Sequence, residues 1–234
     1  MCNNYKPSEI DLIRSLYRVD SAGEDEYPRE TWPDYAAPIV RNTADGGREC
    51  VLANFGFVPK RRQPAGVSFD TTNARSETVG QKRTFAKYWH AAQLCLVPAQ
   101  SLFEPCYEAD PKKSTRYRIW LKDEADFAIA GLWRSWEGRV ADNTPASNSF
   151  TMLTVNADEH PIMRRMHAPG KEKRSVVIVP RNRWDDWLHC RDPEAARSFL
   201  TLYPAELMDT APAPRAPRGA KPELDAATQS GELF

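Results

Sequence analysis

RYRIWLKDEADFAIAGLW, residues 116–133, is the stretch on which the reading of the fold turns. Two strand-like runs, RYRIWLK (116–122) and FAIAGLW (127–133), flank the polar tetrapeptide Asp123-Glu124-Ala125-Asp126. Short apolar and aromatic runs around such a break read as a β-hairpin. Similar runs recur on either side. PIVR (38–41) and CVLANFGFVP (50–59) flank Asp45-Gly46-Gly47, a turn signal. CLVPA (95–99) and SLFEPCYEA (101–109) are short apolar runs broken at prolines. FTMLTVNA (150–157) is a further strand, and SVVIVP (175–180) a fully buried one. Helical spacing is confined to residues 8–18 with Ser8 as N-cap, Thr84 to Ala92, Asn182 to Cys190, and a segment within Pro193 to Tyr203. Many short strands with a few helices predict an α+β domain, a curled, barrel-like, mostly antiparallel sheet flanked by helices.

At 234 residues, with 41% hydrophobic residues and seven tryptophans, the chain has room for one packed domain, assigned to residues 2–204. Residues 205–234 shift to Ala and Pro, with Pro212, Pro214, Pro217 and Pro222, and keep few apolar anchors beyond Leu224, Leu233 and Phe234. They are expected to form a disordered or loosely docked tail. Lys+Arg and Asp+Glu are equal at 32 each, so net charge selects no partner. Runs such as Lys60-Arg61-Arg62 and Lys171 to Arg174 are ordinarily solvated faces, although they offer a local basic surface. The five cysteines show no CxxC pair or Cys/His cluster, so no metal and no cofactor is expected. No apolar N-terminal run suggests a signal peptide or membrane span. A cytoplasmic protein with reduced thiols is expected, nucleoid-associated in a bacterium. Nothing in the sequence calls for an oligomer, and a monomer is expected.

The residue with the most distinctive chemistry is Cys2. Met1 is ordinarily trimmed ahead of a small side chain, leaving an α-amine and a thiol on adjacent carbons. This 1,2-aminothiol can condense with an aldehyde to an imine and then close to a five-membered thiazolidine. A frayed terminus is the ordinary alternative. Four other segments could supply chemistry. Thr71 to Thr78 packs an amide, a guanidinium and a carboxylate together, or forms a plain polar loop. Glu104 stands alone in the apolar run Leu102-Phe103-Glu104-Pro105. Buried, it would be an acid or base with a raised pKa; on an edge strand it would face solvent. His160 and His167 lie seven residues apart around Met163-Arg164-Arg165-Met166, and either could relay a proton. Phe55, Phe57, Trp133 and Trp136 could stack unpaired bases, or serve as core.

In their order along the chain these segments resemble the SOS response-associated peptidase family, whose members process abasic sites in DNA. Met1-Cys2-Asn3-Asn4-Tyr5 is similar to the family's Met-Cys start. Asn54-Phe55-Gly56-Phe57-Val58-Pro59 resembles its Trp-Gly-Leu-Val-Pro segment, and Asn73-Ala74-Arg75-Ser76-Glu77-Thr78 fits its Asn-Ala-Arg-x-Glu-Thr motif. Cys95 to Ala99 followed by Ser101-Leu102-Phe103-Glu104-Pro105 resembles the strand that carries Gly-Phe-Tyr-Glu-Trp. Ala130-Gly131-Leu132-Trp133 and Thr151 to Ala157 match the following strands. Pro105, Phe55 and Gln100-Ser101 depart from the family pattern.

The resemblance implies Cys2 as nucleophile, Asn73 and Arg75 lining its pocket, Glu104 as acid/base and His167, in preference to His160, as the histidine. It implies a covalent thiazolidine crosslink to abasic sites in single-stranded DNA. Asn3, Arg75, Phe55, Phe57, Trp133 and Arg165 would face the strand. Two other readings stay open at this point. An N-terminal cysteine with Asn, Glu and His also suits amide hydrolysis, including removal of Met1. A noncovalent binding module with a relic site is the third.

Overall fold

The computed structural model describes residues 2–19, 26–138 and 145–215. In chain order these form β1 (Tyr5–Pro7), α1 (Ile10–Tyr17), β2 (Ala36–Asn42), β3 (Arg48–Phe55), β4 (Asn73–Arg75), α2 (Ala86–His90), β5 (Leu94–Cys106) and β6 (Thr115–Leu121). There follow β7 (Phe127–Trp136), β8 (Ser147–Asn156), β9 (Arg174–Val176), β10 (Ile178–Val179), α3 (Trp184–His189), α4 (Pro193–Arg197) and β11 (Met208–Pro212).

Five strands close on themselves. β5 pairs antiparallel with β7, β7 with β8, β3 with β2, and β2 with β5, while β8 meets β3 in parallel through Phe55 opposite Phe150. The result is a small closed barrel with one parallel seam, which removes the edges of its central strands. Alternation along each strand sorts the apolar side chains into two cores. Leu94, Leu96, Ala128, Ala130 and Leu132 join residues of all four helices, among them Ile13, Trp89, Trp187 and Ala196. Cys95, Val97, Phe127, Ile129, Phe150 and Met152 join no α-helical residue and fill the interior together with Cys2 and Tyr5. A five-strand barrel has no room for a helix inside it, so the first set is the outer wall beneath the helices. Gly131 belongs to the inward set. A Cβ there would come within 2.9 Å of both Cys95 Sγ and the Thr151 carbonyl, so the tight interior requires glycine at this point.

The expected fold class and most elements are present, and four details differ. First, residues 116–133 do not form a hairpin. β6 and β7 are both antiparallel to β5, β6 along Leu102–Cys106 and β7 along Leu94–Ala99, so the chain runs in one direction before and after the polar break. Residues 122–126 bulge out and the strand resumes; Asp126 turns inward, where it accepts a hydrogen bond from Ser8 Oγ. Ser8 is therefore an anchor between the terminus and the bulge, and Glu9 occupies the N-cap position of α1. Second, the apolar runs around Pro98 and Pro105 are one thirteen-residue strand. Each proline lacks only a donor; the Pro98 carbonyl accepts from Ser8 N and the Pro105 carbonyl from His167 N. Third, residues 175–180 are buried but split. β9 pairs with β8, β10 with β7, and Val177 lies between them. Fourth, the domain does not end at 204. A 3₁₀ turn at Ala205–Leu207 leads into β11, which pairs with β6 over five residues and buries Met208. The tail expected from residue 205 can begin no earlier than residue 216; residues 216–234, with Leu224, Leu233 and Phe234, lie outside the described residues, as do Met1 and residues 20–25 of the acidic loop. Among the described residues no helix is long and apolar enough to cross a membrane.

Asp126 is fully buried and its Oδ2 has no hydrogen-bond partner. Burial pushes its carboxyl up to about 7, against the lowering effect of Ser8, Tyr17 and Arg181. The unfolded chain releases this proton near pH 4, so the group's stabilising contribution is full below about pH 4 and is lost as pH rises through about 7. Asp126→Asn keeps an acceptor for Ser8 and removes the titration. Its unfolding free energy from urea titration should rise relative to the parent as pH goes from about 5 to 8, by about 2–3 kcal/mol. A difference that is flat with pH would mean Asp126 is ionised throughout.

Candidate functional site at the N-terminal cysteine

The register of one strand pair brings the terminus to the chemistry. β1 runs antiparallel to β5 with Tyr5 opposite Leu102, and Phe103 N donates to the Asn4 carbonyl at 2.9 Å. Continued backward, this register sets Cys2 and Asn3 beside Glu104 and Pro105. Cys2 is 2% exposed and directs Sγ to the Asn4 carbonyl at 3.5 Å. Burial and then the Glu104 carboxylate raise the thiol well above the ordinary cysteine value, so at neutral pH it is held as the thiol. Asn73, on β4, donates from Nδ2 to the Cys2 carbonyl at 2.8 Å. Its Oδ1 is buried without a hydrogen-bond partner. Thr72 Oγ accepts from the same amide at 2.9 Å and donates to Asn3 Oδ1 at 3.1 Å.

Glu104 is 3% exposed, and His167 Nε2 lies 2.9 Å from its Oε2. His167 has φ 63°, a left-handed backbone that is uncommon for a non-glycine residue. The surroundings impose it: His167 N donates to the Pro105 carbonyl at 2.7 Å, and Lys173 Nζ donates to the His167 carbonyl at 3.0 Å. Strain of this kind persists where neighbours over-determine it. His160 is elsewhere. Its Nδ1 accepts from the Ile162 and Met163 amides, so Nε2 carries the proton donated to the Tyr203 carbonyl at 2.9 Å. The structure thus joins Cys2, Asn73, Glu104 and His167 and leaves His160 as a structural brace.

The residues expected to face a strand divide. Asn3 and Arg75 are exposed beside the site, with Arg75 paired to Glu172 at 2.7 Å. Arg165 pairs with Glu108 at 2.7 Å. Trp133 is half-buried under the Arg41 guanidinium, 3.9 Å from its ring centre. Phe55 and Phe57 are corrected: both are fully buried. Phe55 stacks on Phe150 at 5.2 Å, and Phe57 packs edge-on to Tyr88 at 5.0 Å, so neither offers a face to a base. Phe55 ends β3 and joins the interior core, while Phe57 lies beyond the strand, past Gly56 at φ 128°, and joins the core beneath the helices.

A cavity of about 420 Å³ opens over Glu104 and His167, walled by Asn3, Asn4, Trp32, Phe103, Arg116 and Arg215. Trp32, Arg116 and Arg215 carried no site signal in the sequence. Arg116 lies flat on Phe103 at 3.5 Å and donates to Asn4 Oδ1 at 2.9 Å and Glu30 at 2.8 Å. Asn4 in turn donates to the Thr31 carbonyl at 3.2 Å. The latch joins three remote segments, which a linear reading cannot see. Among the described residues no group of three or more His, Cys, Asp or Glu side chains is placed to hold a metal ion.

The profile of the SOS response associated peptidase family matches residues 1–216 of the chain. The abasic site processing protein YoqW of Bacillus subtilis is 28% identical over 234 residues, covering 96% of this chain and 98% of that protein. YobE of the same organism, also named an abasic site processing protein, is 29% identical over 218 residues, 89% of this chain and 92% of its own length. A crystal structure from Bordetella bronchiseptica superimposes with a TM-score of 0.79 at 33% identity, covering 91% of this chain and 99% of the other. One from Bacteroides thetaiotaomicron shares the fold at a TM-score of 0.68 and 20% identity, over 89% and 90% of the two chains.

The burial of Cys2 has a measurable consequence. Alkylation of the folded chain should modify the part-exposed Cys190 before Cys2, with Cys2 slower by at least about tenfold. Asn73→Ala, which removes the bond to the Cys2 carbonyl, should speed Cys2 labelling while leaving Cys190 unchanged. Peptide mass mapping of a time course reads both; equal rates in the parent chain would contradict the buried thiol.

Proposed function

Because this chain belongs to the SOS response associated peptidase family, matched over residues 1–216, we propose that it processes abasic sites in single-stranded DNA by capturing the sugar aldehyde covalently on Cys2. The observation that carries this reading is the placement of Cys2 beside the Glu104–His167 pair, which itself lines an open cavity. The similarity to two proteins named for abasic site processing points the same way.

The reaction needs Met1 removed, so that Cys2 carries a free α-amine. Asn73 supports this: with Nδ2 on the Cys2 carbonyl, its unpaired Oδ1 is an acceptor for that amine. An abasic deoxyribose opens from its ring form to a C1′ aldehyde. Glu104, oriented by His167, gives a proton to the ring oxygen and takes one back from the C1′ hydroxyl. The Cys2 amine adds to C1′ and water leaves, forming an imine. The thiol then adds to the same carbon and its proton passes to the imine nitrogen, closing a thiazolidine with net loss of one water. Burial keeps the thiol protonated until then, which sets the order amine first, thiol second. His167 holds Glu104 and relays protons. Asn3, Arg75 and Arg165 line the approach of the strand, where their contacts make binding salt-dependent. The protein acts as a monomer in this scheme.

Intact mass after mixing with an oligonucleotide carrying one abasic site tests the reading. A denaturation-resistant adduct is expected at the mass of the chain lacking Met1 plus DNA minus one water. Cys2→Ala should abolish it and keep noncovalent binding. Glu104→Gln should slow it by about a hundredfold or more, and more at neutral than at acidic pH, where bulk acid substitutes. A folded chain that has lost Met1 and forms no adduct would sink the proposal in favour of amide hydrolysis by the same cysteine.

A further inference from the structure

The C-terminal end of the described chain forms part of the wall of the site. β11 pairs with β6 through Pro212, and the pairing runs on: Ala213 N donates to the Arg116 carbonyl at 2.8 Å, and Arg116 Nη1 donates back to the Ala213 carbonyl at 3.1 Å. Two residues later Arg215 lies over the Trp32 ring, 4.0 Å from its centre, on the rim of the cavity that holds Glu104 and His167.

The cations around this cavity are not equivalent. Arg116 is committed to Glu30, Asn4 and Ala213. His167 is committed to Glu104. Arg215 makes no ion pair with a carboxylate among the described residues and contacts the Trp32 face. A guanidinium stacked on an aromatic ring is held in plane while its five N–H donors stay available along the edge. That is the arrangement suited to a phosphodiester, whose two free oxygens accept in the same plane. Of the acids around this wall, Glu30 is paired with Arg116 at 2.8 Å and Glu104 with His167 at 2.9 Å, so neither faces Arg215 as an unpartnered carboxylate.

We infer that Arg215, braced on Trp32, is a phosphate-binding residue for the nucleotide adjoining the sugar that reacts at Cys2. Trp32 is a positioning residue that acts through Arg215. This inference rests on the DNA reading given above and deepens it. It makes the last strand and its extension part of the substrate site rather than a tail.

The test separates the two. A single-stranded oligonucleotide bearing a tetrahydrofuran abasic analogue has no C1′ hydroxyl, cannot open to an aldehyde and cannot crosslink, so it reports binding alone. Affinity by fluorescence anisotropy is measured for the full-length parent chain and variants from about 50 to 200 mM salt. Arg215→Ala should weaken binding by about three- to tenfold at the low end and reduce the slope of log affinity against log salt by about 0.7, the loss of one phosphate contact on a single strand. Arg215→Lys should recover most of the slope but not all the affinity, and Trp32→Ala should weaken binding while largely keeping the slope. Arg191→Ala, the same charge change between α3 and α4, should leave both unchanged. Parent-like affinity and slope in Arg215→Ala, or an equal loss in Arg191→Ala, would overturn the inference. A parent chain that binds the analogue in this Arg215-dependent way yet fails to crosslink a reactive abasic site would sink the covalent mechanism and leave the phosphate site standing.

Discussion

Cys2 can act as a defined chemical group only if its backbone is held in place from the side. Here the hold is the antiparallel pairing of the N-terminal strand with Leu94–Cys106, locked by the hydrogen bond from Phe103 N to the Asn4 carbonyl. The same long strand carries Glu104, closes the barrel against two neighbours at Leu96 and pairs with a third strand beyond Leu102. A one-residue slip of the terminus would turn Tyr5 out of the interior, where its ring meets Phe55 edge-on at 5.5 Å. Burial of that ring, worth about 2 kcal/mol on area grounds, thus helps to fix where Cys2 sits.

Burying Cys2 and Glu104 has costs that the surroundings offset. Glu104 is almost fully buried and gains His167 as partner; His167 pays a strained backbone for that position and is held by bonds to Pro105 and Lys173. Cys2 is kept protonated by burial, which lowers its reactivity towards ordinary electrophiles. The side-chain latch of Arg116, Asn4 and Glu30 ties the terminus to the far half of the sheet. The N-terminal strand and the segment after Pro212 therefore share one arginine.

The bulge at 122–126 shows why the barrel closes as it does. A hairpin there would have stacked two strands side by side and left the rest of Leu94–Cys106 without a partner on that side. Running straight on, the chain covers both halves of the long strand, and the inserted residues place Asp126 where Ser8 can reach it. The terminus is thereby tied at both of its ends, at Asn4 and at Ser8.

Local features of the sequence determined a good deal. The Asp45-Gly46-Gly47 turn, the short apolar runs and the four helical segments are written in nearest-neighbour patterns, and they foretold an α+β barrel with helices outside. The family resemblance named Cys2, Asn73, Glu104 and His167 together, and the structure sets these side chains close to one another. Only the tertiary structure decided the rest. Hydrophobicity marks Phe55 and Phe57 as aromatic but does not say that both faces are covered, since burial depends on strands far away in sequence. Composition marks Met208–Pro212 as tail-like, yet it pairs because the edge of Thr115–Leu121 is free to receive it. A polar break reads alike whether the chain turns or bulges, and the choice between them lies with the strand alongside. Chain-local propensity sets which elements form; pairing partners remote in sequence set which side chains are buried, which are paired and which are left open to a ligand.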